Sequence, residues 1–190
     1  SKDLNSYVYI NIGEEAGIMR ERYDDLQQSL QSNKLANLRF FSDAFAGVSH
    51  NLTSVAGAFN AYHNLFLPKQ MPISALINDV ASIDIYYQNL SQQWGEQIAP
   101  PDRAVRSLGY NLTGSKQFTR AIEVFKYNIK NHPKSVDALS ALSYGYEIQG
   151  DTRQALEQME SALAIADDSY PYINYLKETK ARLQAELSKN

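Results

Sequence analysis

Cysteine is absent from all 190 residues, which excludes disulfide bonds and thiolate metal sites. An excess of basic charge is also missing: the formal net charge is −3, so we expect no nucleic-acid partner. No apolar run approaches the roughly 20 residues that span a bilayer. The N-terminal stretch lacks the basic and then apolar layout of a signal peptide. These absences leave a cytoplasmic and a periplasmic location equally open.

Catalytic and cofactor motifs are also scarce. The three histidines, His50, His63 and His132, have no helical or hairpin pairing that would bind a metal, and no phosphate-binding loop occurs. We therefore expect no metal and no cofactor. The Gly-x-Ser-x-Gly motif of serine hydrolases is missing as well. What is present is a hydrophobic content of 44%, enough for the core of one domain or of two small ones.

The first third of the chain alternates strand and helix patterns. β-Branched and aromatic residues predict strands at Tyr7–Gly13 and Asn37–Phe45. Apolar residues at helical spacing predict helices in IMRERYDDLQQSLQS and at Ser54–Phe66. The order strand, helix, strand, helix implies two parallel strands, whose edges and faces need cover. This α/β segment, βαβα in order, therefore has the pattern of one end of a larger sheet.

A helical pattern follows the α/β segment. Pro68 and Pro72 interrupt the chain, and apolar spacing then predicts one helix at Ser74–Trp94. The stretch Ala99–Asp102 ends that helix and offers Asp102 as the cap of the next one.

The last part of the chain repeats itself. At an offset of 34 residues, Ala121 falls on Ala155 and Phe125 on Met159, which indicates stacked helical hairpins. A further helix is predicted at Pro171–Leu187, with Lys, Arg and Glu on its outer face as suits a cap.

The two repeating units resemble the tetratricopeptide repeat. The matching residues are Leu108, Gly109, Ala121, Phe125 and Pro133 in the first unit and Leu142, Tyr146, Gly150, Ala155 and Ala162 in the second. The small residues allow close approach of helices, and Gly150 predicts a left-handed or tight turn. The pattern departs at Leu112, Ser143 and Asp167. The resemblance implies a helical array with a protein or peptide partner in its concave surface, where Tyr144 and Tyr146 are candidates to line a groove.

The first 67 residues resemble the C-terminal end of the α/β-hydrolase esterases related to ferric-enterobactin esterase and esterase D. The resemblance rests on YVYINIGEEAGIMRERYDDLQQSLQ, then a strand, then a histidine followed by a helix that ends in Leu-Phe. It implies that His50 is the general base of a catalytic triad and that Glu14 or Glu15 is the acid that orients it. Both loops follow parallel strands, at the edge where open α/β sheets place their sites.

The nucleophile of such a triad is missing from this sequence. The resemblance implies that it lies upstream, so the chain would be the C-terminal fragment of a serine carboxylic-ester hydrolase, inactive alone. Other roles compete with this interpretation. A lone loop histidine is often structural, and Glu14 and Glu15 also suit a helix N-terminus, where negative charge is favourable. The alternative function is a non-enzymatic helical-repeat module for protein interaction.

The predicted organisation is therefore an esterase piece at 1–67, a helical linker at 68–101 and tetratricopeptide-like repeats with a capping helix at 102–190, mostly helical overall. The expected partners are an ester substrate in the full-length parent and a protein or peptide for the repeats. A second copy is a further candidate, through the exposed strands Tyr7–Ile12 or Leu38–Phe41.

Overall fold

The structure, a computed structural model, describes residues 6–33, 38–77 and 79–189. It is 68% helical, with a small two-stranded sheet followed by a helical array, as the sequence predicts. The chain forms two compact units. We call 1–70 with 88–98 the α/β unit, and 71–87 with 99–190 the helical unit. The predicted domain boundaries stay a prediction.

The sheet of the α/β unit consists of β1 (Ser6–Ile12) and β2 (Leu38–Ala44), which pair in parallel. The register places Val8 beside Phe40 and Ile12 beside Ala44. Parallel pairing agrees with the prediction from the element order, and each strand ends one residue earlier than predicted. Asn37, the predicted start of the second strand, lies outside the described residues.

Two helices cover opposite faces of this sheet. From α1 (Ile18–Ser32), Gln27 donates a hydrogen bond to the Ser42 hydroxyl at 2.7 Å. From α2 (His50–Phe66), Asn60 donates to the Asp43 carboxylate at 2.9 Å. Successive side chains of a strand point to opposite faces, so α1 and α2 lie on different sides. The α/β unit is thus three layers deep.

Helix α2 turns its apolar side away from the sheet. Its buried residues are Thr53 and Gly57, and a Cβ on Gly57 would lie 2.3 Å from the Asn11 amide. The large apolar residues are each at least half exposed and form one stripe: Leu52, Val55, Phe59, Tyr62 and Phe66. Periodicity predicts the helix, but the small and polar residues form its contact with the sheet. We call these five residues the α2 stripe.

Two helices predicted in the first half of the chain have other bounds in the structure. The helix predicted at Ser54–Phe66 begins four residues earlier, because the polar stretch from His50 continues it. The helix predicted at Ser74–Trp94 is interrupted: a short 3-10 turn occupies Ile73–Ala75, and α3 spans Ala81–Trp94. The Asp79 carboxylate accepts a hydrogen bond from the Ala81 amide at 2.8 Å, which favours a new helix start at this point. Another 3-10 turn spans Leu67–Lys69.

The helical unit contains two successive helical hairpins and a further helix. In chain order these are α4 (Asp102–Gly114), α5 (Phe118–Asn131), α6 (Val136–Gln149), α7 (Thr152–Ile165) and α8 (Ile173–Leu187). Phe125 is fully buried, as are Ala121 and Ala155. Gly150 ends α6 with a φ of 89°, in the left-handed region, as predicted. The predicted final helix starts two residues later, at Ile173.

Asp102 has a different role from the predicted helix cap. It is the first residue of α4, and its carboxylate accepts hydrogen bonds from Asn128 at 2.7 Å and from Ser135 at 2.7 Å. Arg106 also binds it, at 2.8 Å. Burial raises the pKa of Asp102, but these hydrogen bonds outweigh burial and leave it below the ordinary value. Since these partners lie on α5, before α6 and on α4, one carboxylate connects the two repeats.

Across the described ranges, no helix is both long enough and apolar enough to cross a membrane.

Candidate functional site

The sequence-predicted site lies where the two strands end. Gly13 follows β1 and allows its backbone to approach the loop after β2, because a Cβ at this position would lie 2.2 Å from the Val48 carbonyl oxygen. The Glu14 amide donates to the same carbonyl at 2.9 Å. Gly47, with a φ of 75°, turns the second loop. The glycines and this hydrogen bond hold the two loops side by side.

The structure brings Glu15 and His50 together. Glu15 Oε1 lies 2.6 Å from Nδ1 of His50, although the residues are 35 positions apart in the chain. The second oxygen, Oε2, accepts the Gly13 amide at 2.5 Å. Glu14 points elsewhere: its Oε1 accepts the Gly47 amide at 2.9 Å. Of the two candidate acids, Glu15 therefore has the geometry to orient the imidazole, and Glu14 supports the loop.

The electrostatics of this pair favour an ionised carboxylate. Hydrogen bonds from the Glu15 backbone, the His50 ring and the Gly13 amide lower the pKa of Glu15, against an opposing effect of burial. An ionised acid on Nδ1 favours the tautomer with the proton on that nitrogen, which leaves Nε2 able to accept a proton. The His50 side chain is 70% exposed, so this nitrogen is open to a reactant.

His50 differs from the prediction in one respect: it is the first residue of α2 and not a residue of the preceding loop. Thr53, buried one turn later, donates its hydroxyl to the His50 carbonyl at 2.7 Å. In the part of the chain that the structure describes, no hydroxyl is hydrogen-bonded to His50 Nε2. The same residues contain no group of three or more carboxylate or histidine side chains that could hold a metal.

The helical unit contains a second candidate site, a groove of about 540 Å³. It is lined by residues of three helices: Tyr110, Thr113 and Gly114 of α4, Ser140 and Tyr144 of α6, and Tyr175 of α8. A smaller pocket of about 260 Å³ shares Tyr110, Ser140 and Tyr175 and continues the groove. Both are lined largely by the first helices of the hairpins together with α8. We call the two together the tyrosine groove.

The charged residues of the tyrosine groove are paired with each other. Arg106 binds the Asp137 carboxylate at 2.9 Å and the Asp102 carboxylate at 2.8 Å. The Tyr170 hydroxyl donates a hydrogen bond to Asp137 as well. The Arg106 side chain is only 19% exposed. Its charge is therefore already paired in the ion pair that joins α4 to α6, and the side chain is poorly placed to bind an anionic ligand.

The two tyrosines predicted to line a groove have different positions. Tyr144 lines it, whereas Tyr146 is buried, 9% exposed, and is absent from both linings. Sequence reasoning missed Tyr110, although the offset of 34 residues that carries the repeat places it on Tyr144. It also missed Tyr175, for which the repeat offers no such signal, because α8 follows at a different spacing.

Two curated proteins are similar to this chain. Cellulose synthase operon protein C of Escherichia coli strain K12 is 29% identical over 152 residues, which cover 70% of this chain and 13% of that protein. The putative cellulose synthase operon protein C of Escherichia coli O157:H7 matches with the same identity and coverage. The chain thus spans about an eighth of the length of these relatives. The similarity fits the tetratricopeptide-like part of the chain.

Two solved structures match most of this chain at low sequence identity. An uncharacterised protein from Capnocytophaga ochracea DSM 7271 has a TM-score of 0.48 and 17% identity, covering 94% of this chain and 53% of that one. MamA from Desulfovibrio magneticus RS-1 has a TM-score of 0.37 and 14% identity, covering 92% and 94%. No protein-family profile matches the sequence. The esterase resemblance receives no support from these comparisons, and the chain is a helical-repeat protein.

Proposed function

We propose that the chain is a protein-interaction module whose tyrosine groove binds an extended segment of a partner protein. The observation that carries this proposal is that three helices, α4, α6 and α8, line the same groove. Stacked helical hairpins create extended concave surfaces of this kind, and such surfaces bind partners. The similarity to repeat-containing relatives supports the same function.

Exposed aromatic rings give the groove its binding capacity. Tyr110, Tyr144 and Tyr175 are 41%, 38% and 54% exposed, so each presents part of its ring to a ligand. Tyrosine supplies a large contact area with a polar end, which is why it is enriched at interfaces. A groove of about 540 Å³ is within the size range of ligand sites.

Peptide selection tests this function. We expect random peptides displayed on phage to be enriched by the intact protein and to be lost when Tyr144→Ala and Tyr175→Ala are combined. Each selected peptide should bind at least roughly tenfold more weakly to the double variant by fluorescence anisotropy. Tyr62→Ala is the matched control, because Tyr62 is 64% exposed but lies on the α2 stripe. Selected peptides that bind the double variant as well as the intact protein would place the interaction outside the groove.

A second candidate function is a contribution to ester hydrolysis, with His50 as general base and Glu15 as the orienting acid. The specific observation that favours it is the 2.6 Å contact between Glu15 and Nδ1 of His50. The α2 stripe supports it too, since a larger α/β domain would cover an apolar helix face and the edges of a two-stranded parallel sheet. The nucleophile would come from an upstream part of a longer protein, and ester hydrolysis by that protein tests this candidate.

We also expect the 190-residue chain to self-associate when it is produced alone. The α2 stripe and the edges of β1 and β2 would otherwise face water, and exposed strand edges pair with further strands. Static light scattering over a range of concentrations should show a mass that rises above the monomer value of 21.4 kDa. Val55→Ser combined with Phe59→Ser should weaken the association; a monodisperse monomer of the unaltered chain would contradict this expectation.

A further inference from the structure

The walls of the tyrosine groove are held in place before any ligand arrives. The Tyr110 ring packs edge-on against Phe125, with ring centroids 5.3 Å apart, and Phe125 is fully buried. Tyr144 lies beside Tyr110 at 5.8 Å with the rings tilted by 53°. Tilted rings leave angular surfaces between them instead of one flat stack. A ligand therefore contacts an aromatic surface that is already fixed, so binding costs little side-chain conformational entropy.

The charged residues that line the groove are already paired, so they do not select an ionic ligand. A carboxylate or a phosphate would need an unpaired cation, and Arg106, the basic residue of the lining, is already bound to Asp102 and Asp137. Asp137, in turn, also accepts a hydrogen bond from Tyr170. A charged segment would lose its hydration here without gaining a partner. The groove favours an uncharged segment.

Hydrogen-bond donors remain available along the groove. Within 6–33, 38–77 and 79–189, the hydroxyls of Tyr110, Tyr144 and Tyr175 donate to no other residue. Burial raises the pKa of Tyr110, so its hydroxyl stays protonated at neutral pH. The groove thus offers donors next to apolar rings. The matching ligand has carbonyl acceptors that its own fold leaves unpaired, next to compact apolar side chains.

We propose that the segment bound in the tyrosine groove is an uncharged, proline-rich stretch in the polyproline II conformation. This inference rests on the proposed binding function of the groove. A polyproline II helix has no internal hydrogen bonds, so its carbonyls can accept from tyrosine hydroxyls, and its pyrrolidine rings pack on aromatic faces. Because proline is already restricted in the unbound state, the ordering cost is small. An α-helical segment would instead use its carbonyls internally.

Four fluorescein-labelled, end-capped peptides of about ten residues, roughly 30 Å long when extended as polyproline II, test this inference. They repeat Pro-Pro-Ala, Gly-Gly-Ala, Pro-Pro-Glu or a helical Ala-rich unit. By fluorescence anisotropy, the Pro-Pro-Ala peptide should bind at least roughly tenfold more tightly than the other three. Tyr144→Ala and Tyr175→Ala should each weaken its binding by roughly tenfold, and Tyr144→Phe by less, since it loses only the hydroxyl. Tyr62→Ala should leave binding unchanged.

The outcomes separate this inference from the broader function. If the flexible or helical peptide binds as tightly as Pro-Pro-Ala with the same dependence on Tyr144, the preference for proline is overturned. If the acidic peptide does so, the preference for an uncharged segment is overturned. In both cases the groove remains a binding site. If the Pro-Pro-Ala peptide binds the Tyr144→Ala and Tyr175→Ala variants as tightly as it binds the unaltered protein, the inference is overturned for this groove. If phage selection also yields no peptide that depends on these tyrosines, the proposed binding function of the tyrosine groove is overturned as well.

Discussion

Replacing Gly109 with alanine is expected to lower the free energy of unfolding of the helical unit by about 2 kcal/mol. A Cβ on Gly109 would lie 2.3 Å from the Phe125 ring, far inside van der Waals contact. The ring has little room to retreat. It is fully buried, and a Cβ on Gly145 would also lie only 3.0 Å from it. Phe125 of α5 thus packs against glycines of α4 and α6, and both hairpins depend on this contact.

Gly114→Ala is the matched control for this prediction. Gly114 lies in the same helix, but a Cβ there would meet nothing within 4 Å. Because alanine has the higher helix propensity, we expect this variant to be neutral or slightly more stable. Urea denaturation of both variants, followed by circular dichroism, measures the difference. Equal stability of the Gly109 and Gly114 variants would show that the glycine contact with Phe125 does not limit packing.

The repeat pattern made this packing predictable from the sequence. Gly109 and Phe125 occupy repeat positions that require one small and one large side chain, and Gly150 occupies a turn position. Each of these requirements is set within about a repeat length, where helix spacing determines which residues meet. Local patterns of this kind survive in the structure, because a helical hairpin is stabilised mainly by its neighbours along the chain.

The α2 stripe shows where periodicity fails. The spacing of Val55, Phe59, Tyr62 and Phe66 predicts a helix, and the helix forms. Periodicity cannot tell whether the apolar side meets the sheet of the same chain or some other surface. In the structure, Gly57 and its polar neighbours meet the sheet instead. The same limitation explains α3, where the side-chain hydrogen bond of Asp79 starts a helix that apolar spacing alone extends back to Ser74.

The candidate sites were partly predictable for similar reasons. The sequence indicates that His50 and two glutamates follow neighbouring strands, but only the geometry decides that Glu15 and not Glu14 reaches the imidazole. Adjacent residues on one loop point in different directions, and the hydrogen bond of Glu14 to Gly47 depends on a turn 33 residues away. The ion pair of Arg106 with Asp137 likewise joins residues of different helices. Neither contact can be predicted from a local sequence pattern.

The largest expected effect on activity is that of His50→Ala in a longer protein that carries an upstream serine nucleophile. Under the esterase hypothesis, we expect the hydrolysis of p-nitrophenyl acetate to fall by roughly 10⁴-fold or more. Without the imidazole, no group accepts the proton of the nucleophile. The 190-residue chain alone should not hydrolyse the ester. His63→Ala is the control, since His63 lies on the same helix, stacked on Phe59, away from the strand ends.

Two glutamate variants separate a catalytic pair from a structural one. Glu15→Gln should reduce the turnover number by a large factor, up to roughly 10⁴-fold, because an amide no longer favours the tautomer that leaves Nε2 free. Glu14→Gln removes a carboxylate from the same loop but not from His50, so it should leave turnover within a few-fold of the unaltered protein. If both glutamines cost stability but spare turnover, the 2.6 Å contact of Glu15 with His50 only anchors the start of α2. Undiminished turnover in His50→Ala would refute the catalytic assignment, and the tyrosine groove would then carry the function of this chain.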